Sequence, residues 1–299
     1  MNSRTVGIVL VVLAAALFGT LGIFGRVAAG LELSMATLLG LRFVAATAVL
    51  WAVVWVRGRP SRLDARTVGI EIGLGCAYGV MSVAYFESLN WLSAGIAALL
   101  LFTYPVQVTL ASAVTLEEPV TVPKLLALLS AVSGVALVVG GGEADLALVG
   151  VLLVGLASLC YTLYSMGTRV MTAAIDPLTH VAYTFLGVTA TVLGYGVGTA
   201  TLSTPATTDG WLLIGGITVV GTLAPIVLFA EGLSRIEAST ASIVSTSEPL
   251  TTVLLGALLL GEAVTLSTAL GAALIIAGVG LTSPAVERLG HHEWRPTGR

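Results

Sequence analysis

The sequence predicts an all-α membrane protein whose ten transmembrane helices form two inverted five-helix repeats. Three observations carry that expectation. Of 299 residues, 57% are hydrophobic and 10% charged, with a mean hydropathy of +1.02, whereas a soluble domain carries about 25% charged residues. The apolar residues gather into ten blocks, each near the roughly 20 residues that a helix needs to cross a hydrocarbon core about 30 Å thick. The chain also repeats itself at an offset of 142–144 residues.

The elements follow in order. The first block, 5–27, comes after Arg4 and contains "AAALFG". It has the look of a secretory leader, but a counterpart later in the chain makes it part of the mature fold. The second, 34–56, holds Arg42, and an arginine-rich segment leads to the third, 67–89. The fourth, 93–115, contains Pro105 and closes on "TLEE"; the fifth runs over 121–140. The sixth, 146–168, carries "ASLCYTLYSMG", and the seventh, 178–200, holds His180 near its inner end. The eighth, 209–233, ends beside Glu231; the ninth, 238–260, contains "TSEPLTTVLLGALLL"; the tenth runs over 265–283. Only the tail after Pro284 reads as aqueous. These runs are continuous, unlike the alternating segments of about ten residues that build transmembrane barrels.

Basic residues collect in cytoplasmic loops. With both termini placed inside, eleven Lys and Arg fall on inner segments and Arg26 alone on the outer side. That asymmetry implies an even number of spans in a multi-pass protein of the cell membrane. Cys76 and Cys160 lie inside spans and offer neither a metal-type spacing nor a disulfide framework.

The repeat is explicit. Residues 87–121 and 231–265 share eleven identities in thirty-five pairs without a gap, including Glu87 with Glu231, Pro105 with Pro249 and Glu118 with Glu262. Near the front, "AALFGTLGIFG" (15–25) aligns with "ASLCYTLYSMG" (157–167). The halves are therefore expected at 1–143 and 144–283, with a cytoplasmic tail over 284–299. Each half holds five crossings, an odd number, so the second must enter from the opposite face. Inverted repeats of this kind are the architecture of many secondary transporters, with the binding site near the midplane.

At "FGTLGIFGR", "GLRFVAATAVL", "AALLLFTYPV…TLEE" and "ASIVSTSEPL…LLLGE" the chain resembles the EamA-type permeases of the drug/metabolite transporter superfamily, over about residues 7–283. The resemblance implies a central cavity lined by helices 1–4 and 6–9, with helices 5 and 10 peripheral. It implies no bound cofactor, and the chain carries no Walker-type GxxxxGK[ST].

Polar residues inside spans are the candidate site. Glu248 sits mid-helix, where a carboxylate costs about 2.5–3.5 kcal/mol on insertion scales, and Pro249 beside it removes a backbone donor. Either Glu248 faces a cavity, binding a cation or a proton, or it stitches the ninth helix to a neighbour. Its repeat partner is Tyr104, followed by Pro105; matched prolines in the two halves point to a binding site and to kinks that open it. Arg42 keeps its charge and must find a partner, either a substrate carboxylate or a structural anchor. Tyr78, Tyr104 and Tyr161 are the aromatic candidates for substrate contact, and Tyr161 shares a helix face with Tyr164. Glu87 and Glu231 are candidate gates, pairing with Arg26 outside and with Arg169 or Arg235 inside. Glu118 and Glu262 are expected to cap the turns that follow them, and Glu71 to be solvated near the inner surface. His291 and His292 have no ligand companions in the sequence.

The reading that results is a secondary active exporter of small polar metabolites such as amino acids, with the proton as candidate coupling ion. The alternative is a multidrug exporter of lipophilic cations that uses Glu248 as counter-charge. An intramembrane enzyme finds no HExxH pair and no nucleophile with an ordered histidine. The partners implied are a small-molecule substrate and the lipid bilayer, with no nucleic acid; a homo-oligomer is compatible. Single cysteines placed near each end of the chain should both react with an impermeant maleimide only in inside-out vesicles. Reaction of one of them in intact cells excludes this topology.

Overall fold

The computed structural model describes residues 2–57, 63–92, 97, 100–139, 147–260 and 264–282. Among them the only regular structure is helical. The first span is Ser3–Phe18 and Leu21–Gly30, the second Met35–Val56 and the third Ala65–Ser88. The fourth is described as Tyr104–Thr115, followed by the fifth, Val122–Val139, the sixth, Leu148–Met171, and the seventh, Pro177–Gly198. The eighth covers Thr208–Leu233, the ninth Ala238–Ser245 and Glu248–Leu260, and the tenth Leu266–Leu281. The starts are set by local chemistry: side chains of Ser34, Asp176, Thr207 and Thr265 accept from backbone N–H groups three residues on, satisfying donors that a helix start leaves free. At the aqueous start of the third span Asp64 accepts from the Thr67 hydroxyl, which holds its carboxyl below the usual range.

Reciprocal contacts reveal the inverted symmetry. Thr47 Oγ1 donates to the Phe185 carbonyl and Thr189 Oγ1 to the Phe43 carbonyl, each at 3.2 Å, while the two hydroxyls meet at 2.8 Å. Residues 43 and 185, like 47 and 189, are repeat mates, so the pseudo-two-fold passes between the second and seventh spans. The fifth and tenth spans repeat the pattern. A Cβ on Gly134 would meet Gly271 and Ile275, and one on its mate Gly278 would meet Ala127 and Ala131, the mates of those two. These two helices pack on each other and turn Leu125, Leu129, Leu266 and Ile276 outward, a surface suited to acyl chains.

Two breaks have no proline at the equivalent place in the other half. The first span stops at Gly19 and Thr20, where Thr20 Oγ1 donates to the Leu17 carbonyl at 2.6 Å. The eighth contains a π turn, Val219–Leu223, just before Pro225. Proline there offers no N–H to the Gly221 carbonyl, and the ladder loosens to wider spacing ahead of it. Within the turn Thr222 Oγ1 donates to Ile217 O at 2.9 Å.

The described ends lie on one side. Arg4 Nη2 donates to the Thr282 carbonyl at 3.4 Å. On that side too, Lys124 pairs with Glu237 at 2.7 Å, and Glu118 accepts from the backbone N–H groups of Ala238 and Ser239. Glu118 therefore caps the ninth span across the repeat boundary rather than the turn that follows it.

The third and seventh spans interlock most intimately. A Cβ on Gly75 would lie 1.8 Å from the Thr184 carbonyl oxygen, and one on Gly187 would lie 2.1 Å from that of Ile72. Both obstacles are backbone, which cannot step aside. Gly187→Ala should therefore cost about 2 kcal/mol or more, at the level of overpacked cores. Gly194→Ala, whose Cβ meets nothing within 4 Å, should stay within about 0.5 kcal/mol of wild type. Thermal unfolding in detergent micelles reads both, and equal midpoints would refute the interlock.

Candidate functional site

The site grows from two interrupted helices. Pro249 cannot donate to Ser245, so the ninth span stops at Ser245 and restarts at Glu248. Across the gap Thr246 Oγ1 donates to Ile243 O at 2.6 Å and Ser247 Oγ to Val244 O at 2.8 Å. The same two carbonyls also accept from the backbone N–H groups of Thr246 and Ser247, so the turn tightens and its last carbonyls are paired within the protein, where water is not at hand. The fourth span behaves alike: Thr103 Oγ1 donates to Leu100 O at 2.7 Å, and the helix restarts at Tyr104 with Pro105 in its first turn. The expected kinks are complete breaks. They leave Tyr104 and Glu248, repeat mates, at the N-termini of two half-helices, where Glu248 sits favourably at the positive end of a helix dipole. The first span crosses the ninth closely there, with Thr252 Oγ1 donating to Gly19 O at 3.0 Å.

Around these N-termini stands a continuous group of rings. Tyr104 meets Tyr161 edge-on at 4.6 Å between centroids. Tyr161 stacks with Tyr164 at 6.3 Å and with Phe229 at 6.4 Å. Tyr78 lies 4.8 Å from Tyr164 and 6.3 Å from Tyr161. The Glu248 carboxylate interacts electrostatically with Tyr78, Tyr85, Tyr104 and Tyr161. Tyr78, Tyr104, Tyr161 and Glu248, four residues that the sequence singled out, thus come together from the third, fourth, sixth and ninth spans. Tyr104 is buried, its hydroxyl 3.4 Å from Ser242 O, while Tyr161 and Glu248 keep partial exposure.

Arg42 lies beyond Tyr78. It is 4% exposed, its guanidinium carbon stands 4.5 Å over the Phe43 ring, and Phe43 is 6.1 Å from Tyr78. Its Nε and Nη1 have no hydrogen-bond partner among the described residues. Arg42 interacts electrostatically with Tyr78, and among the described residues it forms no ion pair with Glu248.

The candidate gates Glu87 and Glu231 each have a polar partner. Glu87 accepts from the Tyr195 hydroxyl and from Asn90 Nδ2 at 3.3 Å; its expected partner Arg26 has a side chain outside the described set. Glu231 does meet Arg235, at 2.5 Å, within one turn of the same segment. Glu262, His291 and His292 lie outside the described residues. Glu71 is the clear correction: it is not solvated but 0% exposed, facing His180 at 2.7 Å. Its partner comes from another repeat, more than a hundred residues away, so nothing local announces the pair. The only hint was that both lie a turn or two into spans that start from the same side.

Comparison with known proteins agrees with the fold. The chain matches the EamA-like transporter family twice, over residues 5–140 and 148–283. An uncharacterized transporter of Archaeoglobus fulgidus is 31% identical over 273 residues, 90% of this chain and 93% of that protein. The uncharacterized transporter YcbK of Bacillus subtilis is 28% identical over 245 residues, 77% of each chain. A protein of known crystal structure superimposes with a TM-score of 0.82, covering 96% of this chain and 99% of its own at 20% identity, a likeness of fold alone. Both halves fit one family over nearly their whole length, and the chain belongs to the EamA-like transporter family.

Proposed function

We propose that the protein is a secondary active transporter that exports small polar metabolites, amino acids foremost, by alternating access around Arg42, Tyr78, Tyr104, Tyr161 and Glu248. One observation carries this reading. Tyr78 stands between Arg42 and Glu248: its ring is 6.1 Å from Phe43, which the Arg42 guanidinium covers, it interacts electrostatically with Glu248, and Arg42 and Glu248 form no ion pair with each other among the described residues. A zwitterion can answer both, its ammonium toward Glu248 and its carboxylate toward the unpartnered donors of Arg42, with the tyrosines enclosing its side chain. The half-helix starts at Tyr104 and Glu248 suit a midplane site in this architecture.

In this reading residues 1–143 and 144–283 are the two moving units, and both termini and the tail 284–299 are cytoplasmic. Glu87 and Glu231 close opposite ends of the path. A second reading draws on the same rings: several tyrosines facing a carboxylate also suit a lipophilic cation. Arg42 opposes it by repulsion.

Proteoliposomes loaded with radiolabelled L-amino acids, and separately with ethidium, decide between the two. Amino-acid counterflow without ethidium flux is expected; the reverse outcome replaces the first reading by the second. Glu248→Gln should lower amino-acid flux by about tenfold or more, and Arg42→Lys, which keeps charge but loses the planar fork, should raise KM by about tenfold. Wild-type kinetics in either variant removes that residue from the site.

A further inference from the structure

The Glu71–His180 pair has no part in the site just described, yet it places an acid and an imidazole in the fully buried interior. Glu71 Oε2 and His180 Nδ1 are 2.7 Å apart and both side chains are 0% exposed. They stand at ion-pair distance but are not aligned as a hydrogen bond: both Glu71 oxygens and Nδ1 have no hydrogen-bond partner among the described residues. On the far side of the ring, Nε2 lies 3.0 Å from Thr168 Oγ1. The pair bridges the third span and the seventh, one from each repeat, one turn before Gly75 on the third span and two turns before Gly187 on the seventh.

Other polar and titratable groups stand around the pair. From the sixth span the Tyr164 ring stacks on His180 at 6.4 Å and interacts electrostatically with Glu71; its hydroxyl has no hydrogen-bond partner among the described residues. Arg169, beside Thr168, is half-buried, and Arg66 at the start of the third span is exposed. On the seventh span Asp176 caps the helix start, and Tyr183 packs its ring on Trp51 of the second. Cys76 of the third span contacts Gly187 O at 3.8 Å. In the eighth span Glu231 is taken by Arg235, and Arg42 of the second lies beyond Tyr78. No Lys or Arg among the described residues reaches ion-pair distance of Glu71.

We propose that Glu71 and His180 form the proton-binding site of the transport cycle, holding one proton while the third and seventh spans are closed over them and exchanging it with water when the spans part. Carboxylate with imidazolium, and carboxylic acid with imidazole, hold the same one proton and no net charge. Any other count leaves an uncompensated charge in the apolar interior. Parting the helices admits water; the carboxylate stays ionised, the Nδ1–H bond of the imidazolium breaks, and its proton passes to water. A hydrated histidine is mostly neutral at pH 7 and above. Tyr164 connects the pair to the substrate cluster, since its ring also lies 4.8 Å from Tyr78. The inference rests on the transporter reading, and its test has two arms so that the two can fail separately.

In the first arm, Cys76 of the full chain carrying Cys160→Ala is modified with N-ethylmaleimide between about pH 5.5 and 8.5. Each rate is divided by that of the same chain with Glu71→Gln, so that ionisation of the thiol itself cancels. The ratio should change by about threefold or more across that range, as linkage between protonation and opening requires; a flat ratio overturns the proposal. In the second arm, proteoliposomes transport radiolabelled amino acids with and without a pH gradient. The gradient should raise wild-type accumulation by about fivefold or more. Glu71→Gln and His180→Gln should lose that response while counterflow falls by less than about threefold, and Glu71→Asp should regain part of it. Robust wild-type counterflow indifferent to the gradient overturns the proton site and leaves the cargo assignment intact. Absent counterflow with a pH-dependent labelling ratio sinks the cargo and supports the site. Parallel loss of counterflow and gradient response in Glu71→Gln, unrelieved in Glu71→Asp, marks a structural staple and overturns it.

Discussion

The structure depends on one constraint: inside a hydrocarbon core every backbone N–H and C=O must find a partner within the protein. Straight helices meet it automatically, which is why the second, third, sixth and seventh spans run unbroken for 22 to 24 residues. A functional midplane site needs the opposite, backbone ends and polar side chains at depth. The chain reconciles the two with tightened turns reinforced by hydroxyls. At the interruptions Thr20, Thr103, Thr246 and Ser247 each donate, from backbone N–H and hydroxyl alike, to a carbonyl three residues back. A serine or threonine costs little in a membrane helix, so it can stand ready at each break without destabilising the flanking turns.

Inverted symmetry then multiplies each solution. A break that works in the fourth span works in the ninth, and the hydroxyl pair of Thr47 and Thr189 ties the halves across their own axis. Under the transport reading, specificity has to come from where the symmetry fails. The restart of one half-helix is Tyr104, buried against Tyr161, and the restart of the other is Glu248, an acid with partial exposure. A fully symmetric pair would offer two like groups to a ligand. The substitution of an acid for a phenol gives the cluster a polarity, and Arg42, on the second span, sharpens it.

Most of the fold was legible in the sequence because lipid enforces composition and length. Ten blocks, their order and the duplication needed only counting, and Pro105 and Pro249 announced the breaks because proline lacks a donor wherever it sits. Tyr78, Tyr104, Tyr161 and Glu248 were legible as the few polar groups at depth. What escaped was tertiary. The break at Thr20 has no proline to mark it, and the π turn at Val219–Leu223 is a ladder's adjustment to Pro225 that no local pattern specifies. Glu71 read as solvated because its distance from the surface was counted along its own helix; the seventh span, with His180, covers it from the side. Glu118 likewise reached across the repeat boundary to cap a helix more than a hundred residues away.

The third and seventh spans show why such cross-repeat contacts matter. Their pseudo-symmetric counterpart is the contact between the eighth span and the second, and the two are not alike. The former is closed backbone to backbone at Gly75 and Gly187 and held near its ends by Glu71 with His180 and by Glu87 with Tyr195. The latter meets through side chains, Leu38 against Leu213, Ile214 and Ile217. Two halves related by an inverted two-fold could pack identically, and here they do not, so the structure stands on one side of its own symmetry. An inverted-repeat transporter reaches its opposite state by exchanging the roles of such paired interfaces. Under the transport reading, the exchange must loosen the third and seventh spans, and the cost of doing so falls on the acid and the imidazole between them. A buried pair at that seam is therefore positioned to make opening depend on whether a proton is held.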